Sequence, residues 1–484
     1  MLRFRFILAS VCLTLPCCTR NTDLGHVESS AGAPIQGGTG SAEIAGTSGQ
    51  PGLGLGGLGG TTSEEPPTTR SLPVCADCNY PTCAAGQTTS ISGTVRTPAK
   101  VAPDPLYNAV VYLPGAAIEP FAPGVSCDRC GNVSGKPVAA TLSGSDGGFK
   151  LEDAPAGHDI RLVVQMGRWR RQVTIPEIVA CQDNPLPEDL TRFPRNRAEG
   201  DIPRIALVTS VYDPEECILR KIGIEDAEFT DPSTEGRVNL FTGEGALGGP
   251  SAPSGYELWS DPKTLARYDM VLLPCNSRPE YLFSGDEEDT AVSLAARGSL
   301  ADYANSGGRV FATDLSYSWI TGDGSPYQTT ATWVDDPEYG DGSDTLDTSI
   351  DTNFPKGQAL ADWLNGVGAT PTAGQLTLHD TYRRSLSVNV PTQRWLYSAE
   401  PESLQSFTFN TPLDAAADQQ CGRVAYSSFH IAGAPDLSSE PTFPEECDDA
   451  PLTPQERVLE FMLFDLASCV QIDTGKPKPP VIVK

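Results

Sequence analysis

Three side chains capable of acid–base or nucleophilic chemistry lie in the second half of the chain: Cys275, Asp314 and His430. Each stands at the end of a segment with the composition of a buried strand. Because ligands and reacting groups collect at the carboxyl ends of parallel strands, we expect all three near one edge of a sheet. A hydrolase at this edge would use Asp314 or Cys275 together with His430 as the base.

The elements that must position these residues alternate between strands and helices. Continuous apolar runs predict buried strands at 205–209, 268–275, 309–314 and 421–430. Helices are predicted from Asp213 to about 221, from 299 to 305 and from Thr453 to 467, with Asp213 and Thr453 as N-caps. The alternation predicts an α/β domain with a mostly parallel sheet covered by helices on both faces.

The segments RIALVT, YDMVLLPC, GGRVFATD and GRVAYSSFH follow the order of a known fold. They resemble the class I glutamine-amidotransferase-like family, including its ThuA-like branch. The resemblance implies that GGRVFATD leads into the nucleophile elbow and that His430 occupies the position of the catalytic histidine.

Two departures from that family's pattern bear on activity. Active members carry G-x-C-x-G at the elbow, whereas this chain has Asp314 there with neither a thiol nor flanking glycines. The family's acidic residue two positions after the histidine is replaced by Ala432. A nucleophile and its base must lie within hydrogen-bond reach, so we expect ammonia-releasing chemistry to be lost.

Short strands and frequent turns characterise residues 90–179 and predict a small all-β sandwich. The segments ISGTV, NAVVYL and SDGGFKLEDAPAGHDIRLVVQ resemble the carboxypeptidase regulatory-like domain, a transthyretin-like sandwich. Asp146 and Gly147 are expected to form a tight hairpin turn, and Phe149 and Leu151 to share one face of the next strand. The resemblance implies a structural or contact-making module. The fold class is therefore α+β multidomain, a small sandwich followed by the α/β domain.

Fourteen cysteines demand an explanation. Six of them frame the sandwich, an even number that suits disulfides; they are Cys75, Cys78, Cys83, Cys127, Cys130 and Cys181. The two C-x-x-C pairs among them could instead form a four-thiolate zinc site. Further on, Cys421 and Cys469 are a plausible bridge, and Cys217, Cys275 and Cys447 are expected to form one disulfide and leave one thiol free, so Cys275 is also a disulfide candidate.

The first eighteen residues have the pattern of an export signal. Arg3 and Arg5 precede an apolar run at 6–15 that is too short to span a bilayer. Leu15 and Cys18 resemble the lipobox of bacterial lipoproteins, which implies that Cys18 is acylated; simple cleavage of a secretory signal is the alternative. We expect an outer-membrane or cell-surface lipoprotein, or alternatively a periplasmic or secreted protein.

Composition divides the rest of the chain. Residues 19–73 are rich in Gly, Ser, Thr and Pro and are predicted to be a disordered tether. The sandwich is assigned to 74–200, the α/β domain to 201–470 and a tail to 471–484.

The net charge is −28, and residues 201–484 carry 44 acidic against 18 basic side chains. An acidic domain repels phosphate backbones, so nucleic acid is not an expected partner. The basic strand 168–171 is expected to dock the sandwich onto the acidic domain.

An oxygen-rich run at 335–344 offers weak calcium ligands against the alternative of a solvated loop. The candidates are Asp335, Asp336, Asp341 and Asp344. No other cofactor is expected.

The sequence therefore predicts a non-catalytic binding or structural protein of the envelope that contacts a glycan, a peptide or another envelope protein, and meets the membrane only through its lipid. Asp314 and His430 within hydrogen-bond reach of each other in an open cleft would favour the hydrolase instead, whereas a cleft filled by Trp319, Trp333 or the acidic run would favour binding.

Overall fold

The computed structural model describes residues 71–131, 133–210, 212–243, 252–275, 277–279, 291–334, 343–431 and 443–483. All of them belong to one compact unit, Thr69–Lys484. The predicted signal segment, Cys18 and nearly all of the tether lie outside the described residues. So do the calcium candidates Asp335, Asp336 and Asp341, while Asp344 lies in a strand whose side chain there is not described. No helix among the described residues is long and apolar enough to cross a bilayer.

Two sheets form the first part of this unit. The strands are β1 (Ser90–Thr94), β2 (Val110–Pro114), β3 (Pro137–Leu142), β4 (Gly148–Leu151), β5 (Gly157–Met166), β6 (Trp169–Ile178) and β7 (Asp183–Pro185), followed by the short helix α1 (Glu188–Thr191). One sheet has the order β4-β1-β7 and the other β3-β2-β5-β6. Side chains of both sheets, among them Ile91, Val111 and Ile160, contribute to one buried core. This is the predicted two-sheet arrangement.

The turn at Asp146 and Gly147 differs from its prediction. Asp146 Oδ1 accepts the Gly148 amide at 2.8 Å, and Gly147 has a φ of +70°, so the local turn forms as its residues favour. It does not make a hairpin, because β3 pairs with β2 whereas β4 pairs with β1. The turn therefore carries the chain from one sheet to the other. Phe149 and Leu151 both point into the core, as their spacing predicts.

The second part is built on one large sheet. Its strands and helices are β8 (Ile205–Thr209), α2 (Glu215–Lys221), β9 (Phe229–Thr230), β10 (Val238–Thr242), α3 (Gly255–Trp259), α4 (Pro262–Leu265), β11 (Met270–Leu273), α5 (Ala291–Asn305), β12 (Arg309–Thr313), α6 (Ser318–Thr321), β13 (Ala331–Trp333), β14 (Ser343–Ile350), α7 (Pro355–Gly366), β15 (Gln375–Thr381), β16 (Ser385–Val388), β17 (Gln393–Ala399), β18 (Glu402–Thr411), β19 (Gly422–Ser427) and α8 (Pro454–Ala467). The ten-stranded sheet has the order β15-β14-β17-β18-β19-β12-β11-β8-β10-β9. Strands β13 and β16 form a separate antiparallel pair.

The large sheet is mostly parallel, as predicted, with an antiparallel extension that the sequence analysis missed. The pairs from β19 through β12, β11, β8 and β10 to β9 are all parallel. The pairs from β19 through β18, β17 and β14 to β15 are antiparallel. The four predicted buried strands correspond to β8, β11, β12 and β19, which lie side by side in the order β19-β12-β11-β8. They therefore form the centre of the sheet, and their carboxyl ends share one edge.

The two faces of the sheet pack into two different hydrophobic cores. Ile205 and Leu207 of β8 pack with α2 and α8, whereas Ala206 and Val208 pack with α3, α4 and α5. Because successive strand residues point to opposite faces, one apolar strand can supply both layers. The helices thus cover both faces, as the sequence predicted.

Helix α8 joins the sandwich to the sheet. It starts with the predicted N-cap, Thr453, as part of a full capping box in which Thr453 accepts the Glu456 amide and Glu456 accepts the Thr453 amide. Phe464 packs against both Trp169 and Phe193 of the sandwich side, with ring centroids 5.6 and 5.9 Å away. One core cluster therefore runs from the sandwich through α8 into the sheet.

Five disulfides stabilise the described residues. They are Cys75–Cys78, Cys83–Cys181, Cys127–Cys421, Cys130–Cys469 and Cys217–Cys447. The expected bridge between Cys421 and Cys469 is wrong: segment 127–130 lies between these two cysteines and pairs with both. The alternative zinc site is excluded, because all four of its cysteines form disulfides. Cys275, also a disulfide candidate, is a free buried thiol because Cys217 pairs with Cys447.

Candidate functional site

Asp314 occupies a sharp turn at the carboxyl end of β12. Its φ is +34°, a left-handed conformation that is uncommon for a residue with a side chain, and a short 3₁₀ turn at Asp314–Tyr317 follows directly. The Tyr426 hydroxyl donates to the Asp314 carbonyl at 3.0 Å and helps to hold the turn. Strained backbone of this kind recurs at functional sites, so the elbow-like position predicted from sequence has an elbow-like conformation.

Three side chains surround the Asp314 carboxylate. Arg384 donates from Nε at 2.7 Å to one oxygen and from Nη2 at 3.3 Å to the other. The Cys275 thiol lies 3.3 Å from Oδ2, and His430 Nε2 lies 3.5 Å from the same oxygen. Asp314 is 1% exposed and Cys275 is 2% exposed. The structure thus brings the three predicted residues together and adds Arg384, which the sequence analysis did not single out.

Asp213 orients the His430 ring by contacting Nδ1, whereas Nε2 faces Asp314. Asp213 Oδ1 accepts His430 Nδ1 and the Ile431 amide, both at 2.9 Å. Its Oδ2 accepts the Thr313 hydroxyl at 2.6 Å and the Cys275 amide at 3.2 Å. The prediction that Asp213 caps the next helix is wrong, because α2 begins after Pro214 without a side-chain cap. The side chain instead ties the ends of β11 and β12 to the segment after β19.

Burial and charge set the protonation of this cluster. Burial alone lowers the pKa of His430, but Asp213, with a smaller effect from Asp314, outweighs it and raises that pKa to about 9. Burial raises the pKa of Asp213, yet His430 and the donors around it hold that pKa below its ordinary value. Burial raises the pKa of the Cys275 thiol well above its usual range, and Asp314 and Asp213 add to the effect. Two carboxylates, two cations and a neutral thiol therefore balance at neutral pH.

Aromatic rings enclose the cluster. The Tyr382 ring stands edge-on to His430 at 5.0 Å, and the Arg384 guanidinium lies 4.7 Å over the same ring. Tyr317 flanks Arg384 from another side at 5.8 Å. Of the residues expected to fill a cleft here, Trp319 packs on Trp259 and Trp333 packs on Tyr317, Phe407 and Tyr426, while most of the acidic run lies outside the described residues. Arg384 and Tyr382 take that place, and the His430 side chain is only 12% exposed.

Three further acids lie beside Asp213 at the start of α2 and in the segment that precedes α8. Burial, with the nearby Asp213 and Glu216 charges, raises the pKa of Glu215 well above its ordinary value. Burial and the facing Glu446 raise the pKa of Glu216, and burial raises that of Glu446 to about 7. Both oxygens of Glu215 lack hydrogen-bond partners among the described residues. Burial therefore favours the protonated forms of Glu215 and Glu216, whereas Glu446 titrates close to neutral pH.

Among the described residues, two clusters have the composition of metal ligands. Asp213, Cys275 and His430 offer atoms within 4.8 Å of one another. Both Asp213 oxygens already accept two hydrogen bonds each, which leaves that carboxylate poorly suited to a cation. In the second cluster, Cys217 and Cys447 have no thiolate to offer because they form a disulfide.

Comparisons with known proteins show weak structural likeness only. No family model matches the chain, and no curated protein matches it. The glutaminase domain of Trypanosoma brucei CTPS with bound acivicin is 11% identical, covers 57% of this chain and 100% of its own, and gives a TM-score of 0.29. A ThuA-like protein from Bacteroides uniformis is 9% identical over 57% and 94% of the two chains, with a TM-score of 0.25. A cytoplasmic protein from Salmonella typhimurium is 11% identical over 48% and 88%, with a TM-score of 0.26. Likenesses at this level support no inference about function.

Proposed function

We propose that this chain is an exported, non-catalytic binding or structural protein of the cell envelope, anchored through a lipid on Cys18. Disulfides of the kind described above fit an exported protein, because they persist in oxidising compartments. The α/β part is a degenerate amidotransferase-like domain, and the sandwich is a carboxypeptidase regulatory-like module. The ligand is an envelope component: a glycan, a peptide or another protein.

The ion pair between Asp314 and Arg384 is the observation that carries this proposal. A carboxylate nucleophile must approach an electrophile, whereas both oxygens of Asp314 lie within 3.3 Å of the guanidinium. A general base must be able to accept a proton, whereas a pKa of about 9 keeps His430 protonated at neutral pH. Cys275 remains a thiol, and the thiolate is the nucleophilic form. These interactions leave none of the three predicted residues, Asp314, His430 and Cys275, in a form that could react with a substrate.

An activity assay tests the absence of catalysis. The mature protein is incubated with glutamine and with nitrophenyl esters, and product is compared with that from the Asp314→Asn variant and a buffer blank. We expect no difference among the three. A rate that disappears in Asp314→Asn but persists in Asp226→Asn, a control at an exposed carboxylate, would overturn the proposal.

One observation favours the hydrolase as a second candidate. Asp213, His430 and Asp314 stand in sequence, with contacts of 2.9 and 3.5 Å, and Asp314 has the left-handed backbone of a nucleophile elbow. A nucleophile, a base and an orienting acid are the parts of a hydrolytic triad. Departure of Arg384 would be required before Asp314 could attack. The same assay with an Arg384→Met variant decides: a rate in the natural chain that rises in Arg384→Met and is lost in Asp314→Asn would establish the hydrolase.

Metabolic labelling with a palmitate analogue tests the anchor. We expect label on the natural chain and on a Cys17→Ala control, and none on Cys18→Ala. An unlabelled mature chain released without lipid would replace the anchor with simple signal cleavage.

A further inference from the structure

A groove of about 570 Å³ lies at the amino ends of the parallel strands, opposite the edge that holds Asp314. Arg204 precedes β8, Arg237 precedes β10, and Lys263 and Arg267 come from α4 and the residues after it. Loop 120–124 of the sandwich part forms the other wall. We call this site the amino-edge groove. Its volume is in the range of small-ligand sites.

The amino-edge groove is basic in a strongly acidic protein. Five basic side chains line it against two carboxylates, Asp201 and Asp269. Both carboxylates are already paired: Asp201 with Arg170 and Asp269 with Arg168, each at 2.8 Å. The sandwich thus docks through its basic strand, as the sequence predicted, and this docking neutralises the acids of the groove.

Four of these cations form no side-chain salt bridge among the described residues: Arg204, Arg237, Lys263 and Arg267. Carboxylates do lie close to two of their backbones, since the Arg204 amide donates to Asp269 at 2.7 Å and the Arg237 amide donates to Glu228 at 3.1 Å. Arg204 donates from Nε and Nη2 only to the Asn239 amide oxygen, at 3.2 Å each, and lies over the Tyr268 ring at 5.4 Å. Arg267 donates to the Pro232 carbonyl at 3.1 Å.

Arg237 carries a buried hydrogen-bond donor that is not satisfied by the described residues. Its Nε is buried and has no hydrogen-bond partner in the part of the chain that the structure describes. Burial lowers the pKa of the neighbouring Arg204, and the charges of Arg267 and Arg237 lower it further, although Tyr268 and, with a smaller effect, Asp269 oppose them. An unpaired buried donor next to like charges is unfavourable, and an anion would relieve both costs.

We propose that the amino-edge groove binds an oxyanionic ligand, one that carries carboxylate, sulfate or phosphate groups. Arg204 and Arg237 contact the anion, and Lys263 and Arg267 flank it. The guanidinium fork matches such groups through paired charge-assisted hydrogen bonds. The net charge of −28 repels anions elsewhere on the chain, so binding is confined to this groove. The groove is the ligand site of the binding function proposed above, on which this assignment rests.

Calorimetric titration of the full mature chain tests the site with three probes: pyrophosphate, a sulfated disaccharide and a galacturonate trimer. We expect binding of at least one, and the probe that binds identifies the oxyanion class. The variant Lys263→Gln/Arg267→Gln changes two exposed side chains and should weaken binding about tenfold or more. The matched control Arg161→Gln/Lys476→Gln removes one arginine and one lysine at other exposed positions and should bind as the natural chain does.

Failure to bind any probe, or equal affinity in the groove variant and the natural chain, would overturn this site. An Arg237→Gln variant, checked for a native circular dichroism spectrum, provides the second measurement and should also lose binding. The outcome is independent of the activity assay. A catalytic rate would overturn the proposed function while leaving the anion site intact, and absence of anion binding would leave the conclusion about Asp314 intact.

Discussion

At the scale of single residues, Asp314 connects two cations that would otherwise be buried without sufficient counter-charge. Arg384 contacts it directly, and His430 owes part of its raised pKa to it. Removing one partner of a buried ion pair is costly because the other stays buried and unpaired. The stability of the native state therefore depends on this side chain.

We expect Asp314→Asn to lower the free energy of unfolding by about 3–5 kcal/mol. Urea denaturation with a fluorescence readout measures the change. Asp226→Asn is the control, because its ion pair with Arg220 is exposed and should contribute about 0–1 kcal/mol. Equal stabilities of Asp314→Asn and the natural chain would contradict a tightly coupled network.

The charge on His430 makes stability depend on pH. Its pKa is 6.5 when exposed and about 9 in the folded chain, so its contribution is full below 6.5 and is lost as pH rises through about 9. That shift corresponds to about 3 kcal/mol. We expect the stability difference between the natural chain and His430→Gln to shrink over this interval, measured by urea denaturation at a series of pH values. A difference that stays constant with pH would contradict the raised pKa.

The sequence located part of this site and missed the rest for a definable reason. Cys275, Asp314 and His430 were expected at one edge because each follows a recognisable strand. Asp213 looked like a helix cap, since Asp-Pro-Glu-Glu is a good start signal, and only the tertiary fold brings it to His430. Arg384 comes from a segment outside the recognised strands, so nothing local linked it to Asp314.

At the scale of elements, α8 packs between the sandwich and the large sheet and connects their cores. Its side chains contact the sandwich on one side and the sheet on the other, and Phe464 touches aromatic rings from both Trp169 and Phe193. An apolar helix buried on both sides is expected for the centre of a layered fold. The two parts therefore share one core cluster rather than two.

We expect Phe464→Ala to destabilise the chain by about 3–5 kcal/mol, because truncation leaves a cavity between three elements. Thermal unfolding should still show a single transition, as the shared core makes the two parts cooperative. Val390→Ala is the control, since Val390 is 97% exposed. Two separate transitions in the Phe464 variant would show that the parts fold independently.

The antiparallel half of the sheet shows the limit of pattern reading at this scale. Strands such as β15 (Gln375–Thr381) and β18 (Glu402–Thr411) mix polar and apolar residues without the continuous apolar run that identifies a central strand. Several of their buried side chains are polar, for example Gln405 and Thr408. Their placement depends on pairing with neighbouring strands, β18 with β19 and β15 with β14, rather than on local composition.

At the scale of the whole molecule, two adjacent disulfides bind the sandwich to the sheet. Cys127–Cys421 and Cys130–Cys469 span 294 and 339 residues. A bridge limits the freedom of the unfolded chain more when the loop that it closes is longer. While one of the two remains, the loop closed by the other is short.

We expect loss of either bridge by paired Cys→Ser changes to cost about 2–4 kcal/mol, and loss of both to exceed the sum of the two. Once one bridge is absent, the other alone closes a loop of 294 or 339 residues. Losing that second bridge therefore costs more than losing the first, and the two effects are not additive. Urea denaturation of the three variants measures the effect, with the short-range pair Cys75–Cys78 as the control. Simple additivity would contradict the chain-entropy explanation.

The connectivity of these cysteines also constrains how the chain matures after export. Cys127 and Cys130 reach the oxidising side of the membrane well before their partners Cys421 and Cys469, and nearer thiols such as Cys181 emerge in the interval. Premature pairing of neighbours is therefore the kinetically favoured error. For an exported chain, we therefore expect a thiol–disulfide isomerase to raise the yield of the native pairings by reopening premature bridges.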